Sequence, residues 1–401
     1  MTSTAQQMRA WRGPALLTYG FRPFFLGATL WAAIAMGLWA PMLSGHITLP
    51  TAFDPVSWHA HEFLFGYLSA VVAGFLLTAV PNWTGRLPIV GWPLGCLFGL
   101  WVAGRVAVSF SANLPPMAVA AIDLAFPVAL AAAITREIVA GKNWRNLLVL
   151  GMLVALTAGN AVFHWEAARG DYAAQGYGLR IGLSAGLMMI AVIGGRVIPS
   201  FTRNWLAKRN APKLPTPPMQ RFDKVALLVL LVAFITWIAL PSASITAVAL
   251  ALAGVLHLIR LLRWAGWQTV SEPLVSVMHG AYLLLPLGAL ALAAEIAVPG
   301  LSGLGAVQHL WMGGAIGLMT LAIMTRATLG HTGQALEAGW GTGLIYVAIL
   351  AATLLRVSAG IWVMAASPLY LLSAAFWIAG FCGFAILYGP LLLRAQPAKK
   401  V

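Results

Sequence analysis

Between Asp54 and Glu62 the chain reads Asp54-Pro55-Val56-Ser57-Trp58-His59-Ala60-His61-Glu62, setting two imidazoles beside a carboxylate. That combination of residue types serves metal ligation and proton transfer. Asp54 followed by Pro55 reads as an N-cap with proline at the first helical position, so helix has begun before His59. Residues two apart on an α-helix point about 200° away from each other. His59 and His61 therefore share one ion only if the first turn is unwound. Otherwise His59, with Glu62 three residues on along its face, serves one centre and His61, beside Trp58 and Phe65, serves another. Glu62 is the candidate catalytic residue, as a proton donor beside His61.

Further imidazoles stand at His164, His279, His309 and His331, with His46 and His257 as two more. Imidazole-rich sites in apolar surroundings suit haem iron or copper. Arg196 and Arg326 are candidates to meet the propionates of a haem held by His279 or His331. Thiolate ligation is set aside, because Cys96 and Cys382 are isolated and no CxxC is present. Arg105 and Asp123 sit at equal distances from the turn near Asn113 and Leu114, so they should face each other across a helical hairpin as a buried ion pair.

The elements that must position these residues are membrane spans. The chain has 401 residues, 61% of them hydrophobic and 8% charged, with long apolar runs throughout. That composition predicts an all-α polytopic membrane protein and excludes a soluble enzyme. At about 20 residues per crossing, twelve spans are predicted, near 23–43, 60–80, 90–110, 116–135, 147–165, 178–199, 224–241, 243–262, 274–296, 304–325, 341–360 and 367–393. They group as an N-terminal segment 1–22, a first six-helix half 23–199, a basic proline-rich linker 200–223, a second six-helix half 224–393 and a tail 394–401. No sequence repeat relates the halves, and no cleavable signal peptide is evident.

The net charge of +14 does not imply nucleic acid here, because the basic residues collect in alternate short loops. Arg9 and Arg12 precede span one, Arg86 follows span two, and Lys399 and Lys400 follow span twelve. The linker is rich in Lys and Arg. Both termini are then expected on the cytoplasmic side of a bacterial inner membrane. This orientation sorts the histidines by depth. His59, His61, His164 and His309 fall within a turn or two of the outer surface, and they form the candidate metal set. His279 and His331 fall on the cytoplasmic side. In span ten, Gly313 and Gly317 have the GxxxG spacing that permits close helix approach.

Five phrases read together resemble the NnrS family: Gly20-Phe21-Arg22-Pro23-Phe24-Phe25, the stretch from Trp58 to Glu62, the stretch from Gly74 to Gly85, Gly195-Arg196-Val197-Ile198-Pro199, and the stretch from Met324 to Gly333. The resemblance spans nearly the whole chain. It implies a bacterial twelve-span inner-membrane protein that contains haem, of the b type, and copper, tied to nitric oxide metabolism and resistance to nitrosative stress. It also implies that His59, His61, His164, His279, His309 and His331 occupy family-typical positions, whereas His46 and His257 do not. The haem-copper oxidase and nitric oxide reductase superfamily likewise uses a twelve-span subunit and six histidines. There the ligands lie together, while here His279 and His331 are predicted roughly 20 Å or more from the outer set, at 1.5 Å per helical residue.

The leading expectation is thus a redox-metal membrane protein that binds or turns over nitric oxide, with an outer histidine cluster, an inner haem and an external electron donor. Expected partners are nitric oxide and the lipid bilayer, and not nucleic acid. Rivals from other classes are a secondary transporter, which twelve spans describe equally well, and a helper in metal-cofactor assembly of respiratory enzymes.

Overall fold

The computed structural model describes residues 11–85 and 88–395. Arg9, Arg86, Lys399 and Lys400 lie outside the described residues, as do parts of the terminal segments. The chain is 81% helical, with no strand among the described residues. Among the described residues, twelve helices are long and apolar enough to cross a membrane. In order these spans are Phe21–Leu43, Pro55–Thr84, Trp92–Ser109, Pro116–Ala140, Trp144–Ala168, Tyr177–Lys208, Arg221–Ala239, Ser244–Leu262, Pro273–Ala297, Leu304–His331, Trp340–Ile361 and Val363–Leu393. Helices satisfy their own backbone, which is why apolar runs of this length take that form in lipid. Span six continues through Pro199 to Lys208, and the proline-rich stretch 211–220 follows it without regular helix.

Three spans change their winding along the way. Span two opens as an α-helix over Pro55–His61, widens into a π-helical stretch at Glu62–Tyr67 and returns to α winding from Leu68. Span six does the same at Ile190–Gly194 and span ten at Leu310–Leu318. A wide turn frees carbonyls that a buried helix must pair elsewhere. In span two, Trp101 donates its indole N–H to the Gly66 carbonyl at 2.9 Å. In span six, Arg260 donates to the Ala191 carbonyl at 2.9 Å. In span ten, the Thr320 hydroxyl lies 2.7 Å from the Ile316 carbonyl and 2.9 Å from that of Gly317.

The fold divides into two compact units, one of Met1–Gly182, Ala327–Ala335 and Phe381–Val401, the other of Leu183–Arg326 and Leu336–Gly380. In the first, Gly74 of span two lets Phe24 and Phe25 of span one pack against its backbone. Arg22 is buried and caps the end of span twelve, donating to the carbonyls of Leu392 at 2.8 Å and Arg394 at 2.7 Å. Those carbonyls have no partner within their own helix. In the second unit, the small-residue face of span ten is filled by packing: Gly313 and Gly314 lie against Thr353, and Gly317 lies under the Trp377 ring.

Candidate metal centre

Span two begins where the sequence places it. The Asp54 carboxylate accepts the backbone N–H groups of Val56 at 3.0 Å and Ser57 at 2.9 Å, an N-cap worth ~1 kcal/mol. The loop before it is pinned by the Thr51 hydroxyl, which donates to the Val108 carbonyl at 2.9 Å, and by Ser111, which accepts the Ala52 N–H at 2.8 Å. This anchoring sets Phe53 over the first turn, beside the His61 ring.

His61 is fully buried and sits in a network drawn from spans two, three, four and five. Its Nδ1 lies 3.0 Å from Glu62 Oε1 and its Nε2 lies 2.9 Å from Asn160 Oδ1 and 3.3 Å from Asp123 Oδ2. Asn160 donates through Nδ2 to Asp123 Oδ2 at 2.8 Å, and His164 Nε2 lies 3.0 Å from the same oxygen. Arg105 holds the opposite side: it donates to Glu62 Oε1 at 3.0 Å and Oε2 at 2.9 Å, and through Nη2 to Asp123 Oδ1. Two glycines make room for it. A side chain at Gly66 would collide with the Arg105 guanidinium, and one at Gly104 would collide with the Asp123 carboxylate.

Three of these groups are placed so that they could hold a metal ion. Donor atoms of His61, Asp123 and His164 all lie within 4.8 Å of one another, and all three residues are buried. Two imidazoles and a carboxylate suit copper, iron or zinc. Asp123 is tied through Oδ1 to Arg105, which leaves Oδ2 toward the imidazoles. Glu62 at His61 Nδ1 provides the outer carboxylate that usually orients a ligating imidazole and fixes its tautomer. Phe53, Phe65 and Phe163 ring His61 at centroid distances of 5.5 Å each, so the cluster is walled by aromatic surface.

The charges nearly balance. With neutral imidazoles, Glu62 and Asp123 against Arg105 leave one excess negative charge in the buried cluster. A single positive unit at His61, either a second ring proton or a monovalent metal ion in its place, brings the sum to zero. Uncompensated charge at such depth is costly, so this balance is a condition of stability.

His59 and His309, also expected as ligands, are not members of this group. His59 stacks on Trp39 at 4.5 Å and 14°, with Phe63 at 4.6 Å, while Glu62 Oε1 meets His61 Nδ1. His309 belongs to the second unit, where its Nδ1 lies 2.5 Å from the Gly305 carbonyl of its own helix. A model of the NnrS family, described as NnrS protein, matches residues 15–396.

The chain belongs to the NnrS family.

This places the NnrS chain among integral membrane proteins of the nitric oxide response. No individual curated protein matches it. The remaining expected cofactor residues of this NnrS protein fall in two places. In the first unit, His331 lies in an aromatic cluster, 5.4 Å from Phe21 and 6.3 Å from Tyr19 by ring centroid. In the second unit, the Arg326 guanidinium lies 4.1 Å from the Phe201 ring, and Arg196 is exposed. His279 is buried, and its Nε2 lies 2.8 Å from the Thr202 hydroxyl oxygen.

Sequence reasoning missed two things. Asn160 is one, although a polar residue four positions before His164 on a helix shares its face. The other is a second buried cluster, in which Arg260 donates to Asp223 at 2.8 Å and to the Tyr282 hydroxyl at 2.8 Å. Tyr282 in turn lies 2.8 Å from His257 Nδ1, while His257 Nε2 meets the Ala226 carbonyl at 3.1 Å. Every polar atom of His257 is thereby satisfied within the fold, as expected of a structural histidine.

Proposed function

We propose that this NnrS protein is a redox-metal protein of the bacterial inner membrane, with both termini cytoplasmic, that binds nitric oxide at a metal held by His61, His164 and Asp123. The observation that carries the reading is the convergence of two imidazoles and a carboxylate from spans two, four and five. Copper fits this donor set, and as a monovalent ion it neutralises the cluster in place of the second His61 proton. When bound, the metal supplies a position for nitric oxide and a store for an electron delivered by an external donor. Nitric oxide is small and apolar, so it reaches the cluster through the bundle without a polar channel.

The residues around the ligands have separate roles. Arg105 fixes Asp123 and Glu62 so that only one carboxylate oxygen of Asp123 turns toward the imidazoles. The Glu62 carboxylate accepts the proton of His61 Nδ1, so the Glu62–His61 pair is the relay placed to pass protons inward should two nitric oxide molecules be reduced, with two protons and two electrons from the donor, to nitrous oxide and water. The aromatic wall of Phe53, Phe65 and Phe163 keeps water away from the site.

The test is metal content in the anaerobically purified full chain. His61→Ala and His164→Ala are expected to lose the same equivalent of metal and the nitric oxide difference spectrum that goes with it, while His59→Ala retains both. Full metal content in both His61→Ala and His164→Ala would overturn the assignment.

A further inference from the structure

Spans seven and eight of the second unit pack side by side, and each turns an apolar stripe outward. On span seven the stripe is Val225, Leu228, Val232 and Ile235, which recur at helical spacing and are 48–60% exposed. On span eight it is Val255, Ile259 and Leu262, also exposed. The two stripes end at one level, because the Arg263 guanidinium, at the C-cap of span eight, lies 4.8 Å from the Phe222 ring in the first turn of span seven. Arg221 and Lys224 are exposed and stand four residues before Val225 and Leu228, so they continue the span-seven stripe as charge. From Val225 to Ile259 the sequence holds no Asp, Glu, Lys or Arg, which leaves the other end of this surface uncharged.

The positive end is not neutralised by the protein. Asp223 is the one acid between residues 172 and 271. It is buried and already committed, to Arg260 Nε at 2.8 Å and to the Gln220 backbone N–H at 2.8 Å. The side chains of Arg221, Lys224 and Arg263 have no hydrogen-bond or ion-pair partner among the described residues, and Arg263 Nε is buried without one. Two cations on the first turn of span seven also stand at the positive end of its helix dipole, where acids are ordinarily favoured. The stripe from Lys224 to Ile235 runs roughly 16 Å at 1.5 Å per residue, about half the hydrocarbon core and so the depth of one leaflet.

We propose that this surface is a binding site for one anionic glycerophospholipid, with its phosphate on Arg263, Arg221 and Lys224 and its acyl chains along the two stripes. Arg263 is the anchor: Phe222 holds its guanidinium in place, and paired N–H groups match a phosphate. A zwitterionic phospholipid brings its own ammonium to the three cations and leaves them uncompensated, which selects against it. The site uses no residue of the His61 cluster and stands independently of the nitric oxide reading.

The experiment uses the full chain, delipidated in a neutral detergent and titrated with phosphatidylglycerol or with phosphatidylcholine of the same chains, with bound lipid counted by native mass spectrometry. One phosphatidylglycerol is expected to bind ahead of all others and ahead of phosphatidylcholine. Arg221→Gln, Lys224→Gln and Arg263→Gln are each expected to weaken that first site about fivefold, the attraction one Lys or Arg supplies beside an anionic lipid, without changing phosphatidylcholine binding. Arg263→Lys, which keeps the charge, is expected to recover part of the loss. The paired change Lys208→Gln with Arg209→Gln removes as much exposed charge as Arg221→Gln with Lys224→Gln, but beyond the end of span six, and is expected to leave the first site intact. Equal losses in those two double variants would make the attraction a diffuse property of a basic surface and overturn the site. Equal affinity of the wild type for the two lipids, or for glycerol phosphate lacking acyl chains, would overturn it as well.

Discussion

Substituting Arg105 by methionine keeps the apolar stem but removes the guanidinium that Glu62 and Asp123 share. The two carboxylates have side-chain exposures of 0% and 2%, so neither regains water when that partner goes. Removing one member of a buried pair costs ~3–5 kcal/mol, because the survivor is left uncompensated. Two survivors remain here within one network, where losses do not add, so the substitution is expected to cost at least ~3 kcal/mol. That is a large share of the ~5–15 kcal/mol that typically holds a domain folded. The informative second change is Asp123→Asn. In the double variant the ionised groups left are Glu62 and the protonated His61, one of each sign and 3.0 Å apart. Charge balance is thereby restored, and the double variant is expected to be more stable than R105M alone despite carrying one more substitution. Reversible unfolding in mixed micelles, followed by tryptophan fluorescence, measures the full cycle. If the two single effects add to within ~0.5 kcal/mol, the sites are uncoupled and the neutrality argument fails.

Two further outcomes are expected. Tyr282→Phe removes the hydroxyl between Arg260 and His257, which should destabilise the second unit by ~1–3 kcal/mol for each group left unpaired, with metal content unchanged. Thermal unfolding beside metal analysis checks both parts. Gly104→Leu drives a side chain into Asp123, so it should lower stability and reduce metal retention together; Gly104→Ala should do the same to a smaller degree. Stability lost without any change in metal would separate Asp123 from the ligand set.

The spans were legible because each one is an apolar run of 18 residues or more, close to what the ~30 Å hydrocarbon core needs, bounded by prolines, glycines or charges. The facing of Arg105 and Asp123 was legible for a different reason: equal counts from a hairpin turn fix equal depth. The Asp54 cap needed only residue type and position. The winding changes left no trace, because a stretch apolar on every face carries no periodicity from which a wider turn could be read. Of the two pairings the sequence left open for Glu62, the structure takes the one with His61, whose Nδ1 lies 3.0 Å from Glu62 Oε1. Arg105 holds that carboxylate from the other side. Asp223 and Arg260 were hidden by a sound rule applied too broadly. Charges near span ends usually mark topology, yet Arg260 is fully buried and its acid lies one span back, at the edge of the expected linker.

The widened stretch of span two has a mechanical consequence. Taking a single residue out of Glu62–Tyr67 would return that stretch toward ordinary winding and swing its two ends about 100° out of phase. The leading turn could then no longer aim its imidazole at Asp123 while the trailing length kept Gly74 seated under Phe24 and Phe25. The surplus residue acts as a phase shifter, letting one continuous rod present two unrelated faces to two sets of neighbours.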